Sequence, residues 1–298
     1  MNLAYAAVLI SDPARPAVDT GVIVRVSRAL GLAQPKVLAA GIAVEFAVTT
    51  TDPADMRAAI VEVIDGAPLD VALVPEPGRR KKLLIADMDS TMIEQECLDE
   101  LAGALGLKER VSAITERAMR GEIAFEPALR ERVALLEGLP AEETIARVLA
   151  EKITLAPGAR TLVATMRAHG AYAALVSGGF TAFTGPVAAM LGFDEHRSNL
   201  LEIEGGRLTG RVVEPILGRE AKLAALEELI VSKRLYRDAT LAVGDGANDL
   251  AMLCASGLGV AYRAKPAVAE AAHVRIDRGD LTALLYLQGF SDAEFVTA

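Results

Sequence analysis

Asp87 and Asp89 stand two residues apart, directly after the apolar run Leu83-Leu84-Ile85-Ala86. A short apolar run of this kind, after a basic stretch, is typical of a buried β-strand. Side chains alternate between the two faces of a strand, so both carboxylates should project to the same side. Carboxylates this close repel each other, and a cation with a preference for oxygen ligands, such as Mg²⁺, resolves the conflict. The alternative is an ordinary strand end, with Asp89 or Ser90 capping a following helix.

A second polar segment, Ser177-Gly178-Gly179, follows the apolar run Tyr172 to Val176 and precedes a predicted helix. A small hydroxyl group and glycine backbone N–H groups at the start of a helix form an anion-binding site. The alternative is a helix-capping serine followed by turns at the glycines, which would have the same sequence.

A third polar segment, Gly244-Asp245-Gly246-Ala247-Asn248-Asp249, follows the predicted strand Thr240 to Val243. An Asp-Gly pair is a common hairpin signal, but here a helical pattern follows the glycine. Asp245 would add another oxygen ligand for Mg²⁺, and Asn248 and Asp249 could contact the substrate or orient the ligands. Ligands of open α/β sheets bind beyond the carboxyl ends of the strands, so the three polar segments should converge.

Three further sets of residues have no clear role from local sequence alone. Lys222, on the predicted helix Arg219 to Val231, would clamp a phosphate beside the acidic groups, or else lie on the surface. Glu96 and Arg132 fall on other predicted helices, where alone they indicate a solvent-facing side or a surface ion pair. We interpret the three histidines as structural or exposed: His169, His196 and His273.

Alternation of strands and helices after residue 79 predicts an α/β fold with a doubly wound parallel sheet. Predicted helices at about 94–152 interrupt this alternation and indicate an inserted helical cap. Residues 1–78 show the order β-α-β-β-α-β of a small ferredoxin-like α+β domain. The segment Pro75 to Gly78 ends that unit, and the basic run Arg79 to Lys82 is predicted to be a solvated linker. The predicted domains are therefore 1–78 and 79–298.

The composition limits the function. The chain has 298 residues, 52% of them hydrophobic, which is enough for a large core or for two domains. A net charge of −9 argues against a nucleic-acid partner. Two distant cysteines form neither a disulfide framework nor a metal-binding spacing, which favours a cytoplasmic protein with reduced thiols. We predict no signal peptide and no membrane span, and the sequence leaves a homodimer open.

Taken together, these segments resemble the four motifs of the haloacid dehalogenase superfamily: Asp87 to Thr91, Ser177, Lys222, and Gly244 to Asp249. The resemblance is closest to its phosphoserine phosphatases and covers residues 83 to about 285. It extends to cap positions that read the substrate in that family: Glu96, Met119, Phe125 and Arg132. The first 80 residues resemble, more weakly, an ACT-like domain with a regulatory or dimerisation role. Met88 departs from the usual phenylalanine and should face away from the site, without effect on the chemistry.

The resemblance implies Mg²⁺-dependent hydrolysis of O-phospho-L-serine to L-serine and phosphate, the last step of serine biosynthesis. It assigns nucleophilic attack to Asp87, through an aspartyl-phosphate, and acid–base catalysis to Asp89. The metal would be held by Asp87, Asp245 and the backbone carbonyl of Asp89, with Asp249 behind them. The remaining implied substrate-binding groups are Glu96 for the ammonium, Arg132 for the carboxylate, Ser177, Gly178 and Lys222 for the phosphate, and Asn248.

Three other functions stay open at this stage. One is a phosphatase or phosphotransferase for another small monoester. A second is a signalling receiver domain, which pairs acidic residues with a lysine but lacks the Asp-x-Asp spacing on one strand and the inserted cap. A third is a sensor in which the N-terminal unit works and the phosphatase is silent, against which the intact set Asp87, Asp89, Lys222 and Asp245 argues.

Overall fold

The computed structural model describes residues 3–297 as two β-sheets, each with its own helices. The first sheet is antiparallel and contains β1 (Leu3–Ser11), β2 (Lys36–Ala39), β3 (Ala43–Thr50) and β4 (Leu69–Pro75). Its strand order is β2-β3-β1-β4, and the helices α1 (Thr20–Leu30) and α2 (Pro53–Ile64) complete the predicted β-α-β-β-α-β unit. Asp52 caps α2 by accepting the N–H groups of Ala54 and Asp55, and Pro53 begins the helix.

The second sheet has seven strands in the order β11-β10-β9-β5-β6-β7-β8. These strands are β5 (Leu83–Ala86), β6 (Tyr172–Phe180), β7 (Glu195–Glu204), β8 (Arg207–Val213), β9 (Thr240–Gly244), β10 (Leu258–Tyr262) and β11 (Val274–Ile276). All neighbours are parallel except β7 and β8. The doubly wound α/β fold predicted from the sequence is therefore confirmed.

Both faces of this sheet are covered. Along β5, Leu84 and Ala86 join one hydrophobic core, whereas Leu83 and Ile85 join the other. This alternation explains why β5 is apolar throughout, as expected for a parallel strand buried on both sides. The helices that follow the cap and cover the two faces are α7 (Ala159–Ala168), α8 (Thr181–Leu191), α9 (Arg219–Ser232), α10 (Leu250–Ala255), α11 (Pro266–Ala271) and α12 (Ala283–Leu287).

The predicted cap consists of four helices: α3 (Cys97–Gly103), α4 (Lys108–Met119), α5 (Phe125–Ala134) and α6 (Ala141–Glu151). Helix α3 begins later than predicted, because residues 91–95 form turns and bends, Ile93 forms a bridge with Leu155, and Glu96 has an extended backbone. Glu96 therefore lies just outside α3, at its N-cap, instead of within the helix.

Strand β7 takes part in two different pairings. The strand starts at Glu195 and first pairs in parallel with β6, before it turns into the hairpin with β8. The hairpin holds the α5–α6 junction of the cap, since Gly138 donates to the Leu208 carbonyl at 2.8 Å and Ala141 donates to the Gly206 carbonyl at 2.9 Å. One end of the cap is thus fastened to the main sheet by backbone hydrogen bonds.

The prediction of a solvated linker at Arg79 to Lys82 is wrong for Arg79 and Lys81, whereas Arg80 and Lys82 are exposed. Arg79 and Lys81 are only 7% and 9% exposed. Arg79 donates to Glu45 at 2.8 Å and to the Leu287 carbonyl at 3.2 Å, and Lys81 donates to the Asp238 carbonyl at 2.7 Å. Arg79 is therefore part of the contact between the two units, and Lys81 is buried within the second unit. The charged run itself does not indicate these partners.

The two units share a continuous hydrophobic core. On β1, Ala6, Val8 and Ile10 pack in the same cluster as α12, while Ala7 and Leu9 face α1 and α2. The proposed boundary at residue 78 lies in the connection between β4 and β5. The N-terminal unit is therefore packed against the catalytic fold through one whole face of its sheet. In residues 3–297 no helix is long and apolar enough to cross a membrane.

Candidate active site

The three polar segments converge at the carboxyl ends of β5, β6 and β9, beneath the cap. They surround a cavity of about 290 Å³ between the sheet and the cap helices α4 and α5. Of the residues singled out in the sequence, the cavity is lined by Asp87, Asp89, Glu96, Met119, Phe125, Arg132, Ser177, Gly178 and Asn248. Lys222, Asp245 and Asp249 lie directly behind Asp87.

Asp87 lies at the centre of a buried charge cluster. The Lys222 ammonium, which is fully buried, is 2.6 Å from a carboxylate oxygen of Asp87 and 2.6 Å from one of Asp249. Burial, followed by the charge of Asp249, raises the pKa of Asp87 to about 7, although Lys222 opposes the rise. Burial alone would lower the pKa of Lys222, but the charges of Asp249 and Asp87 outweigh it and raise that pKa.

Asp87, Asp245 and Asp249 each place one carboxylate oxygen within 4.8 Å of the others. Burial, together with the charges of Asp249 and Asp87, raises the pKa of Asp245 well above its usual value. Asp249 already has a partner on each oxygen, because it accepts from Lys222 and, at 3.1 Å, from the Gly246 N–H. Asp87 and Asp245 are therefore the carboxylates with oxygens left for a cation, and this hard, buried, all-oxygen set suits Mg²⁺.

Asp89 faces the cavity with one buried carboxylate oxygen that has no hydrogen-bond partner among the described residues. Burial raises its pKa to about 6, while Cys97 and the charges of Arg132 and Lys222 oppose the rise. A carboxyl group with a pKa in this range can both give and take a proton near neutral pH. The neighbouring Met88 is fully buried in the core.

The β6 end is shaped by a glycine pair. Strand β6 continues through Ser177 to Phe180, with an irregular register after Val176, instead of ending at Val176 as predicted. The Gly179 N–H donates to the Ser177 hydroxyl at 2.9 Å. A Cβ atom on Gly178 would lie 2.6 Å from the Phe125 ring, so only glycine fits beneath this cap residue.

Several residues that contribute to the site were missed in the sequence. Asn199 donates to the Gly178 carbonyl at 2.9 Å and accepts from the Leu217 N–H at 2.6 Å, which ties β6 to the segment before α9. Asp99 and Thr115 lie behind Arg132 in the cap. Thr115 shares the helical face of Val111, four residues earlier, so helical spacing could have marked it as buried. The three histidines do not line the cavity.

Comparison with known proteins decides the family. Residues 84–253 match the haloacid dehalogenase-like hydrolases. The chain belongs to this family. A HAD-family hydrolase from Salmonella enterica serovar Typhi has the same overall structure, with a TM-score of 0.83 and 30% identity, over 95% of this chain and 98% of that one.

Two relatives carry a more specific name. A phosphoserine phosphatase of Albidiferax ferrireducens is 48% identical over 211 residues, which are 69% of this chain and 89% of the relative. A phosphoserine phosphatase of Streptomyces coelicolor is 42% identical over 258 residues, or 86% of this chain. The chain spans 62% of the length of the Streptomyces protein.

Proposed function

We propose that this chain hydrolyses O-phospho-L-serine to L-serine and phosphate, in a Mg²⁺-dependent reaction. The observation that carries the proposal is a single cavity that joins Asp87 and Asp89 on the sheet with Glu96 and Arg132 at the cap. One end offers a nucleophile and an acid, and the other offers an anion and a cation for an α-amino acid. The names of the relatives at 42% and 48% identity support the same substrate.

Asp87 would attack phosphorus and form an aspartyl-phosphate, and the Lys222 ammonium at 2.6 Å favours the charged form of this carboxylate and orients it. Asp89, which lines the cavity, would protonate the serine oxygen as it leaves. The same carboxylate would then take a proton from the water that hydrolyses the intermediate. Its pKa of about 6 suits both proton transfers.

The phosphoryl oxygens would be held by the Ser177 hydroxyl, the Gly178 N–H and Lys222, with Asn248 beside them. These groups concentrate donors and positive charge where negative charge spreads in the transition state. Asp87, Asp245 and, by family resemblance, the backbone carbonyl of Asp89 would hold Mg²⁺, with Asp249 in support. The ion, when bound, would supply positive charge that offsets the repulsion of two anionic groups, the nucleophile and the phosphate.

Substrate recognition would fall to the cap. Arg132 is 6% exposed. Burial lowers the pKa of its guanidinium, whereas the negative charges of Glu96, Asp99 and Asp89 oppose this decrease. Its planar fork matches a carboxylate through two parallel hydrogen bonds. Burial, followed by the charges of Asp89 and Asp245, raises the pKa of Glu96 well above normal, and the positive charge of a substrate ammonium would lower it again.

The test compares phosphoserine with phosphoethanolamine, which lacks the carboxylate. The wild-type protein should prefer phosphoserine strongly. Arg132→Ala should lose roughly 2–5 kcal/mol of transition-state stabilisation on phosphoserine and change little on phosphoethanolamine. Arg130→Ala is the matched control, because Arg130 lies on the same helix but is exposed and paired with Glu214. Equal losses on both substrates, or no hydrolysis of phosphoserine by the wild type, would refute the proposal.

The proposed reaction would complete serine biosynthesis. A cytoplasmic setting, favoured by the free thiols of Cys97 and Cys254, is part of the proposal. The ACT-like role of the first unit and the homodimer stay predictions.

A further inference from the structure

A hydrogen-bond chain lies behind Arg132 and joins three cap helices. The Arg132 Nη1 atom donates to the Thr115 hydroxyl at 3.0 Å, and the Thr115 hydroxyl lies 2.7 Å from an oxygen of Asp99. The second oxygen of Asp99 accepts from the Ser112 hydroxyl at 2.6 Å. Arg132, Thr115 and Asp99 are 6%, 3% and 7% exposed, so the chain is almost completely shielded from water.

The direction of this chain is fixed by chemistry. A guanidinium group only donates and a carboxylate only accepts, so the Thr115 hydroxyl accepts from Arg132 and donates to Asp99 at 2.7 Å, with the neutral Val111 carbonyl as a longer second acceptor at 3.1 Å. The Nε atom of Arg132 donates to the Ala128 carbonyl at 3.2 Å, one turn earlier on α5. These two bonds fix the plane of the guanidinium and leave the Nη2 donors and one Nη1 proton for a ligand.

A buried arginine without such support would have several accessible rotamers. Ordering a long side chain upon binding costs affinity, and pre-orienting it removes that cost. The carboxylate of Asp99 also balances the positive charge of the guanidinium without contacting it directly. The remaining donors of Arg132 therefore stay free for a ligand. Neither Asp99 nor Ser112 lines the cavity, which leaves Thr115 as the link between this pair and the site.

We propose that Thr115 and Asp99 are positioning residues that orient the Arg132 guanidinium and thereby set the preference for substrates that carry a carboxylate. This inference rests on the proposed function, because it assigns to Arg132 the reading of the substrate carboxylate. It extends specificity from the residues that touch the substrate to α3 and α4.

Thr115→Val is the sharpest test, because valine has nearly the shape of threonine and replaces the hydroxyl with a methyl group that cannot form a hydrogen bond. We expect kcat/KM for phosphoserine to fall at least tenfold, mainly through KM, while the value for phosphoethanolamine falls less than threefold. Thr115→Ser keeps the hydroxyl and should restore the wild-type ratio of the two values to within threefold. Thr144→Val is the matched control, because Thr144 is a buried threonine of α6 that does not line the cavity.

Asp99→Asn is a second variant, should the valine protein fold poorly by circular dichroism. It keeps an acceptor for Thr115 and removes the charge, and we expect the phosphoserine preference to fall at least threefold. Equal losses on both substrates in the two variants would show that these hydrogen-bonded residues serve only in packing, which would overturn the inference. An unchanged ratio in Thr115→Val would do the same. A wild-type protein without activity on phosphoserine would instead refute the proposed function itself, which separates the two failures.

Discussion

Lys222 is the residue that allows three buried carboxylates to lie together. Its ammonium is 2.6 Å from Asp87 and 2.6 Å from Asp249, and Asp245 lies on the other side of the same cluster. A buried charge without a partner is strongly destabilising, so this lysine supports the folded site in addition to any contact with phosphate. Its role therefore cannot be separated from stability by simple truncation, and tests of the chemistry are better made on the carboxylates.

The first such test concerns Asp87, the proposed nucleophile. Asp87→Asn should abolish phosphate release while the protein stays folded, because an amide cannot form the aspartyl-phosphate. Lys222 keeps Asp249 as its partner in this variant. Release of phosphate from phosphoserine, with a thermal melt of each protein, is the measurement. Asp65→Asn, an exposed position of the first unit, is the control, and near-normal turnover by Asp87→Asn would contradict the assignment.

The affinity for Mg²⁺ should depend on pH. In the metal-free protein the pKa of Asp87 is raised to about 7, so below that pH a proton occupies the carboxylate and competes with the cation. The affinity should therefore be higher at pH 8 and fall, by about threefold or more, at pH 6. Calorimetry in two buffers of different ionisation enthalpy would detect the released proton. Affinity that is equal at both pH values would contradict this.

At the scale of elements, the active site depends on the close approach of the cap to the strand ends. The Phe125 ring lies against Gly178 and Gly218, and the Ala247 N–H donates to the Met119 carbonyl at 3.3 Å. The opposite end of the cap is held by the β7–β8 hairpin. Movement that admits a substrate is therefore expected at the end of α4 and the start of α5, and not at the α5–α6 junction.

Gly178→Ala tests this approach. The new methyl group would lie 2.6 Å from the Phe125 ring, so it should force the cap away and lower kcat/KM by about tenfold or more. The double variant Gly178→Ala with Phe125→Leu should recover part of the loss by relieving the contact. Gly103→Ala, on α3, is the control, because its methyl group would meet Lys108 at an ordinary 3.9 Å. A fully active Gly178→Ala protein would show that the contact is unimportant for turnover.

At the scale of the whole molecule, residues 3–78 belong to one packed structure with the α/β unit. Asp70 on β4 accepts three backbone N–H groups, from Asp277, Arg278 and Gly279, at 2.8–3.0 Å. Arg79 joins Glu45 of the first sheet to the carbonyl groups of α12. With the shared apolar cluster between β1 and α12, these contacts argue that removal of the first unit would expose core.

Arg79→Met tests the contact between the units. The substitution leaves Glu45 with a partially exposed lysine as its remaining cation, and we expect the free energy of unfolding to fall by roughly 3 kcal/mol. Arg80→Met is the matched control, because Arg80 is 46% exposed and its pair with Glu294 should contribute less than about 1 kcal/mol. Denaturant unfolding of both variants is the measurement. Similar small losses would show that the buried pair does not hold the units together.

The sequence by itself determined much of this protein. The Asp87 and Asp89 pair, the Ser177 segment and the Asp245 segment each follow an apolar run, and the carboxyl ends of parallel strands meet at one edge of a sheet. Local patterns therefore sufficed for the α/β fold, the cap, the β-α-β-β-α-β unit and the place where the polar segments meet.

The burial of Arg79 and Lys81 in the basic run and the support behind Arg132 were decided only by the tertiary structure, because both depend on partners far apart in the sequence. Arg79 and Lys81 are in a charged run typical of a solvated linker, yet carbonyl groups and Glu45 from distant elements make their burial favourable. Thr115 and Asp99 resemble ordinary residues of helices until Arg132 is placed beside them. A hydrogen bond between helices leaves no periodic trace in a sequence, so only the folded chain shows which polar residues support the site.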